Sequence, residues 1–130
     1  MRQQYHLREV DGDLYVWDIF ELIELSKNLD TTEIPLSSFS ELDEEYWYEV
    51  GGAKPTCRNI IKHTQLINDA DLSYPIIVCK DGRVMDGMHR LCKASMLGHV
   101  KIKAKVFPDD VKPTYINVCP NELTYIDKSL

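Results

Sequence analysis

The sequence predicts an α+β fold, a single domain over residues 1–130 in which a small mixed β-sheet carries about three main helices. Three observations lead there. At 130 residues the chain can bury one hydrophobic core and is too short for two of ordinary size. Its composition, 44% hydrophobic and 28% charged, is that of a globular protein without a low-complexity tract. Apolar residues recur at helical spacing in three segments, with strand-like runs between them.

LYVWDIFELIELSKNL, residues 14–29, reads as an extended lead-in and then an amphipathic helix, with Ile19, Leu22, Ile23, Ser26 and Leu29 at helical spacing. Asp18 and Glu21 have the spacing of a capping box. A short strand follows around Glu33 to Leu36, and Ser37-Ser38 can turn the chain. SELDEEYWYEVGGAKP then reads as a helical turn running into a loop. A second helix over 56–69 has Thr56 as N-cap and Cys57, Ile60, Ile61, Thr64 and Ile67 along one face. YPIIVCKDGRVMDG reads as a hairpin, because two short apolar runs flank Asp81-Gly82, a pair suited to a tight primed turn. The third helix covers 87–97 and ends at Gly98, and IKAKVFP supplies a half-buried strand. Residues 108–130 form an extension with weak strand signals around Tyr115 to Val118.

A net charge of −6 argues against direct DNA binding, which needs excess Lys and Arg to replace phosphate counterions. No apolar run approaches the roughly 20 residues of a membrane span, and the N-terminus has no signal-peptide core. The expected location is cytoplasmic, with no membrane partner. Cys57, Cys79, Cys92 and Cys119 show no metal-ligand spacing and are expected as reduced thiols, Cys79 and Cys92 in the core and Cys57 beside Arg58.

The segment VMDGMHRLCKASMLGH, residues 84–99, concentrates the chemistry. A helix start leaves backbone N–H groups without partners and carries partial positive charge, so it attracts anions. Gly87 lets the strand-to-helix bend take unusual dihedrals and lets a ligand approach the backbone. His89 and Arg90 fall in the first turn, where a cation is unfavourable unless something negative offsets it. Arg offers a planar fork suited to phosphate, and His adds one or two donors. Asp86 has two candidate jobs: capping the helix, or holding a metal ion or accepting a proton beside a bound phosphate. On spacing alone, a phosphate site and a capped helix with an Arg salt bridge are equally good readings.

Residues 74–107 resemble the ParB N-terminal-like, or ParB/sulfiredoxin-like, superfamily. The resemblance rests on Pro75-Ile76-Ile77-Val78, Gly87-Met88-His89-Arg90, Ala94, Gly98 and Ile102 to Val106. EIPLSSF (33–39) is similar to the family's opening strand and PTCR (55–58) to the segment before its first core helix, so the best-matched core is 33–107. The resemblance implies a nucleoside di- or triphosphate such as ATP, ADP or CTP, with Mg²⁺, held at Gly87, Met88, His89 and Arg90, with Arg58 as a second phosphate ligand. Met88 stands where sulfiredoxins place their catalytic cysteine, which sets that chemistry aside. His89 replaces the Glu of the chromosome-partitioning G-E-R-R motif, and residues 108–130 leave no room for their DNA-binding domain.

The D-G-x-H-R form is most similar to the superfamily's free-serine kinases, which implies phosphate transfer to a small hydroxyl substrate with Asp86 and His89 as catalytic residues. The catalytic base would come from Asp86 or from Glu41, Asp43, Glu44 and Glu45 in SELDEEYW. The alternative is a module that senses a nucleotide or binds a protein without turnover; a ParB-like nuclease is a third reading, opposed by the acidic charge. Which side chain would hold a metal is left open.

Other candidates have plainer readings. His63 reads as a surface or satisfied residue, His6 and His99 as surface residues, and Trp17, Tyr46, Trp47 and Tyr48 as packing residues, with 46–48 placed to cover a nucleoside. Lys101, Lys103 and Lys105 read as the outward face of a strand or as guards of an edge.

Overall fold

The computed structural model describes residues 3–50 and 53–125. They form one α+β domain of two small sheets and three α-helices. The first sheet begins with a hairpin that the sequence reading did not contain. Strands β1 (Tyr5–Val10) and β2 (Asp13–Asp18) pair antiparallel, with Val10 opposite Asp13 across Asp11-Gly12. Asp11 takes a φ of 51°, the left-handed conformation that a two-residue primed turn requires.

Helix α1 (Ile19–Ser26) follows at once, its first turn capped by Asp18 Oδ1, which accepts from the Phe20 amide at 2.9 Å. Glu21 does not complete the expected capping box. Its carboxylate accepts instead from Thr114 Oγ1 at 2.7 Å.

The second sheet is the mixed one. Its strands are β3 (Thr32–Pro35), β4 (Ile76–Val78), β5 (Val84–Asp86) and β6 (Lys101–Val106), in the order β3-β6-β4-β5. Only β4 and β6 pair in parallel, with helix α3 (Met88–Met96) carried in the crossover from β5 to β6. Strand β6 is paired on both sides, so its lysines guard no edge. Lys101 and Lys103 are exposed, while Lys105 Nζ donates to the carbonyls of Ser26 and Lys27 and satisfies the end of α1. A last strand, β7 (Tyr115–Ile116), joins β2 to give the order β1-β2-β7, which is where the weak C-terminal strand signal lies.

The alternation of β4 places its side chains in two cores. Ile76 and Val78 join Val84, Met88, Leu91 and Ala94 on the α3 side; Ile77 joins Trp17, Ile19, Leu22, Met85 and Phe107 on the α1 side. Burial on both faces explains the unbroken apolar run Ile76-Ile77-Val78.

Helix α2 (Cys57–Asp69) forms where expected, and Thr56 Oγ1 accepts from the Asn59 amide at 3.2 Å. Its apolar face is not buried as the sequence suggests: Ile60 and Ile61 are 51% and 59% exposed, and no α2 residue is fully buried. The half-buried positions are Asn59, His63 and Ile67, spaced i, i+4, i+8. The helix is thus turned so that a mixed stripe, Asn59 and His63 with Ile67, packs inward. Among the described residues, no helix is long and apolar enough to cross a membrane.

Candidate functional site

Asp86 closes β5, Gly87 makes the bend and Met88 begins α3, so the motif sits at a strand-to-helix junction. The N-cap residue is Gly87, at φ 104° and ψ 24°, and no side chain caps the helix. Asp86 therefore does not do the capping job considered for it. A Cβ on Gly87 would lie 2.6 Å from Ile76 Cγ2 and 3.0 Å from Arg90 Nη2, so both the dihedrals and the space require glycine.

In front of this junction lies a cleft of about 1410 Å³. Residues 86–90 line it on one side; strand β1, including His6 and Arg8, lines it on another. Trp47, and Leu66 from α2, also line it. Of the predicted phosphate ligands, Gly87, Met88, His89 and Arg90 are brought together here. Arg58 is not: it lies exposed on the first turn of α2 and does not line the cleft.

The two cationic candidates of α3 face different partners. Arg90 Nη2 donates to Asp86 Oδ2 at 2.8 Å, and its Nη1 donates to the carbonyls of Pro75 at 2.7 Å and Tyr74 at 3.2 Å. Both side chains of the ion pair are mostly buried, 17% and 16% exposed. The salt-bridge half of the sequence reading is thus present in the structure. Arg90 ties the start of β4, the end of β5 and the first turn of α3 together.

His89 turns toward α2. Its Nε2 lies 2.8 Å from Nδ1 of His63, one nitrogen donating and the other accepting. Trp47 stacks over both rings, 4.1 Å from His63 and 4.7 Å from His89 between centroids. His63 is therefore a half-buried residue with its hydrogen bond satisfied, one of the two plain roles expected for it. Burial, then the neighbouring His63 and Arg90, bring the His89 pKa down to about 4, so the ring is neutral at pH 7. Burial and Lys62 also lower His63.

His6 departs furthest from its sequence reading. It is 9% exposed, between the rings of Trp17 and Tyr46, and its Nε2 lies 3.3 Å from Arg8 Nη2. Burial, reinforced by Arg8 and Arg83, brings its pKa down to about 3. The i, i+2 spacing of His6 and Arg8 on one strand face is the signal that could have paired them.

Since neutral His6 and His89 are protonated more easily in the unfolded chain, their contribution to stability is complete above pH 6.5 and is lost as pH falls toward 4 and 3. For His6 alone the loss between pH 6.5 and 5.5 is about 1 kcal/mol. We expect His6→Phe, which keeps an aromatic ring between Trp17 and Tyr46, to flatten the dependence of the urea midpoint on pH in that interval. An unchanged slope in the variant would contradict the assignment.

The upstream acids are largely occupied. Glu41 is buried and accepts from the Val84 amide at 2.6 Å. Glu44 takes two hydrogen bonds from Arg83, which together with Ser40 hold its carboxyl below the usual range. Asp43 and Glu45 are exposed and do not line the cleft. Tyr46 OH donates to the Val84 carbonyl. The four cysteines are free thiols; Cys57 and Cys119 are exposed, while Cys79 and Cys92 are half-buried and pack against the two cores. The chain matches no protein-family model, no curated protein and no solved structure.

Proposed function

We propose that the chain binds a nucleoside di- or triphosphate in the cleft, with the phosphates against the backbone amides of the α3 start. One observation carries the reading: α3 begins at a left-handed glycine without a side-chain cap, and residues 86–90 open onto a cleft large enough for a nucleotide. The resemblance of residues 74–107 to the ParB/sulfiredoxin-like superfamily points to the same ligand. A cytoplasmic location, where nucleotides are plentiful and thiols stay reduced, suits the free cysteines.

Binding without turnover is the version the geometry supports best. Asp86, the motif's candidate base, is ion-paired with Arg90, while Glu41 and Glu44 are committed to Val84 and Arg83. A protein-held Mg²⁺ does not fit either: among the described residues, no group of three or more His, Cys, Asp or Glu side chains could hold a metal ion. Mg²⁺ enters this reading only as a companion of the nucleotide phosphates. Phosphate transfer to a small hydroxyl substrate would first require Asp86 to be released from Arg90.

The test is a melting screen with ATP, ADP, CTP and GTP, with and without Mg²⁺, followed by amide NMR. A ligand at a hundred times its Kd stabilises by about 2.7 kcal/mol. The expected result is a raised melting temperature with at least one nucleotide and shifted amide resonances at Met88, His89 and Arg90. Silence of those amides at millimolar nucleotide overturns the reading, and a phosphate-release assay decides whether there is turnover.

A further inference from the structure

Three arginines line the cleft, and two of them are neutralised within the chain. Arg83 donates to Glu44 at 2.7 and 3.3 Å, and Arg90 donates to Asp86 at 2.8 Å. Arg8 is different. Its nearest carboxylate oxygen is Asp81 Oδ1 at 4.0 Å, beyond hydrogen-bond reach, on a side chain that is 67% exposed and already accepts from the Cys79 thiol.

The Arg8 side chain is only 23% exposed, so it is largely covered by the protein. What holds it is neutral. Nη2 donates to His6 Nε2 at 3.3 Å and to Cys79 Sγ at 3.5 Å. Because guanidinium can only donate, His6 Nε2 is the acceptor and its proton sits on Nδ1. The guanidinium also lies 5.6 Å from the centroid of the Trp17 ring, which supports it by cation–π attraction. These contacts fix the plane of the fork at one corner. Among the described residues, Nε and Nη1 have no hydrogen-bond acceptor.

A largely covered permanent cation without a hydrogen-bonded anion is costly to keep, and a planar fork with a free edge is the arrangement that receives a carboxylate or phosphate in bidentate fashion. We propose that Arg8, positioned by His6, Cys79 and Trp17, is an anion-binding residue of the cleft that takes a carboxylate or phosphate group of a small organic ligand. This site is on β1, on a different element from the α3 start, and it stands whether or not the α3 amides take a phosphate.

Citrate and pyrophosphate serve as probes, the first carrying only carboxylates and the second only phosphates. Each is titrated into the parent chain, Arg8→Gln and Asp81→Asn, with calorimetry for affinity and the Arg8 Nε–Hε resonance as a local reporter. At least one probe should move that resonance and bind Arg8→Gln at least tenfold more weakly. Asp81→Asn, which removes the competing carboxylate, should bind two- to threefold more tightly. The stronger probe identifies the anion class.

Equal affinity of Arg8→Gln and the parent, or an Arg8 resonance unmoved by both probes, overturns the proposal. If Arg8→Gln does not fold, the Nε–Hε titration of the parent decides alone. Movement at Arg8 with silent amides at 88–90 leaves this site standing and removes the nucleotide reading; the converse pattern removes this site only.

Discussion

Gly87→Ala is expected to lose about 3 kcal/mol of folding stability, from two separable sources. Holding a non-glycine residue in the left-handed region costs about 1–2 kcal/mol, and Gly87 sits at φ 104°. Overpacking a close-packed interior costs about 1–3 kcal/mol more, and here the new Cβ would stand 2.6 Å from Cγ2 and 3.0 Å from Cβ of Ile76. Ile76 is fully buried in the core beneath α3 and cannot move aside. For a domain of this size the combined loss lowers the melting temperature by about 12 °C. Gly98→Ala is the control: its φ is +77°, but nothing lies within 4 Å of an added Cβ, so it bears the backbone cost alone. The difference between the two variants, measured by urea melts, isolates the clash. Equal losses would mean that the contact with Ile76 is not tight.

The functional consequence follows from the same geometry. Whatever relieves the clash must move the peptide that begins α3, and with it the amides proposed to face the ligand. Gly87→Ala should therefore weaken nucleotide binding even below its melting temperature, whereas Gly98→Ala should leave it unchanged.

The parts of this arrangement that were legible in the sequence are the local ones. Asp81-Gly82 between short apolar runs announces the β4–β5 hairpin, and Gly87 followed by periodic apolar residues announces α3. The N-terminal hairpin has the same Asp-Gly pair at 11–12, and there the tight primed turn forms, whereas Asp81 lacks the positive φ expected of it and the β4–β5 loop closes from Cys79 to Arg83. But the first strand of the N-terminal hairpin, Tyr5–Val10, includes His6, Arg8 and Glu9 and lacks a clean alternation. His6 is buried because two aromatic rings from β2 and from the 44–50 segment close over it, and no local pattern encodes that.

The same holds for the candidate site. An Arg salt bridge at the helix start was readable, but its partner was not: Asp86, at i, i+4 spacing, is that partner and not the cap. The Trp47–His63–His89 stack joins three separate segments, and helix α2 packs by a stripe that is not its most apolar one. Hydrophobic periodicity predicts which face should be buried only when packing is driven by apolar area. In α2 hydrogen bonds from His89, Tyr48 and Lys93 do much of the holding. Glu41 is similar: it reads as one of four candidate bases, yet it is buried and its carboxylate serves as the acceptor for an amide of β5.

The Asp86–Arg90 pair yields the prediction that bears most directly on function, because in Asp86→Asn stability and binding should respond with opposite signs. Arg90→Met leaves the Asp86 carboxylate mostly buried without its cation, and also strips the Pro75 and Tyr74 carbonyls of a donor. Breaking one side of such a pair costs about 3 kcal/mol. Asp86→Asn is milder, since Arg90 keeps both carbonyls. The double variant should lose less than the sum of the two, and urea melts of all four proteins measure that coupling. If the cleft takes a phosphate, Arg90 is at once the brace of the junction and the nearest guanidinium to the anion, and Asp86 competes with the ligand for it. Asp86→Asn should then bind nucleotide severalfold more tightly while folding less stably, and Arg90→Met should lose at least tenfold in affinity as well as stability. A purely structural pair would instead lower both quantities together in both variants, or leave affinity untouched, and calorimetry below the melting transition separates these cases.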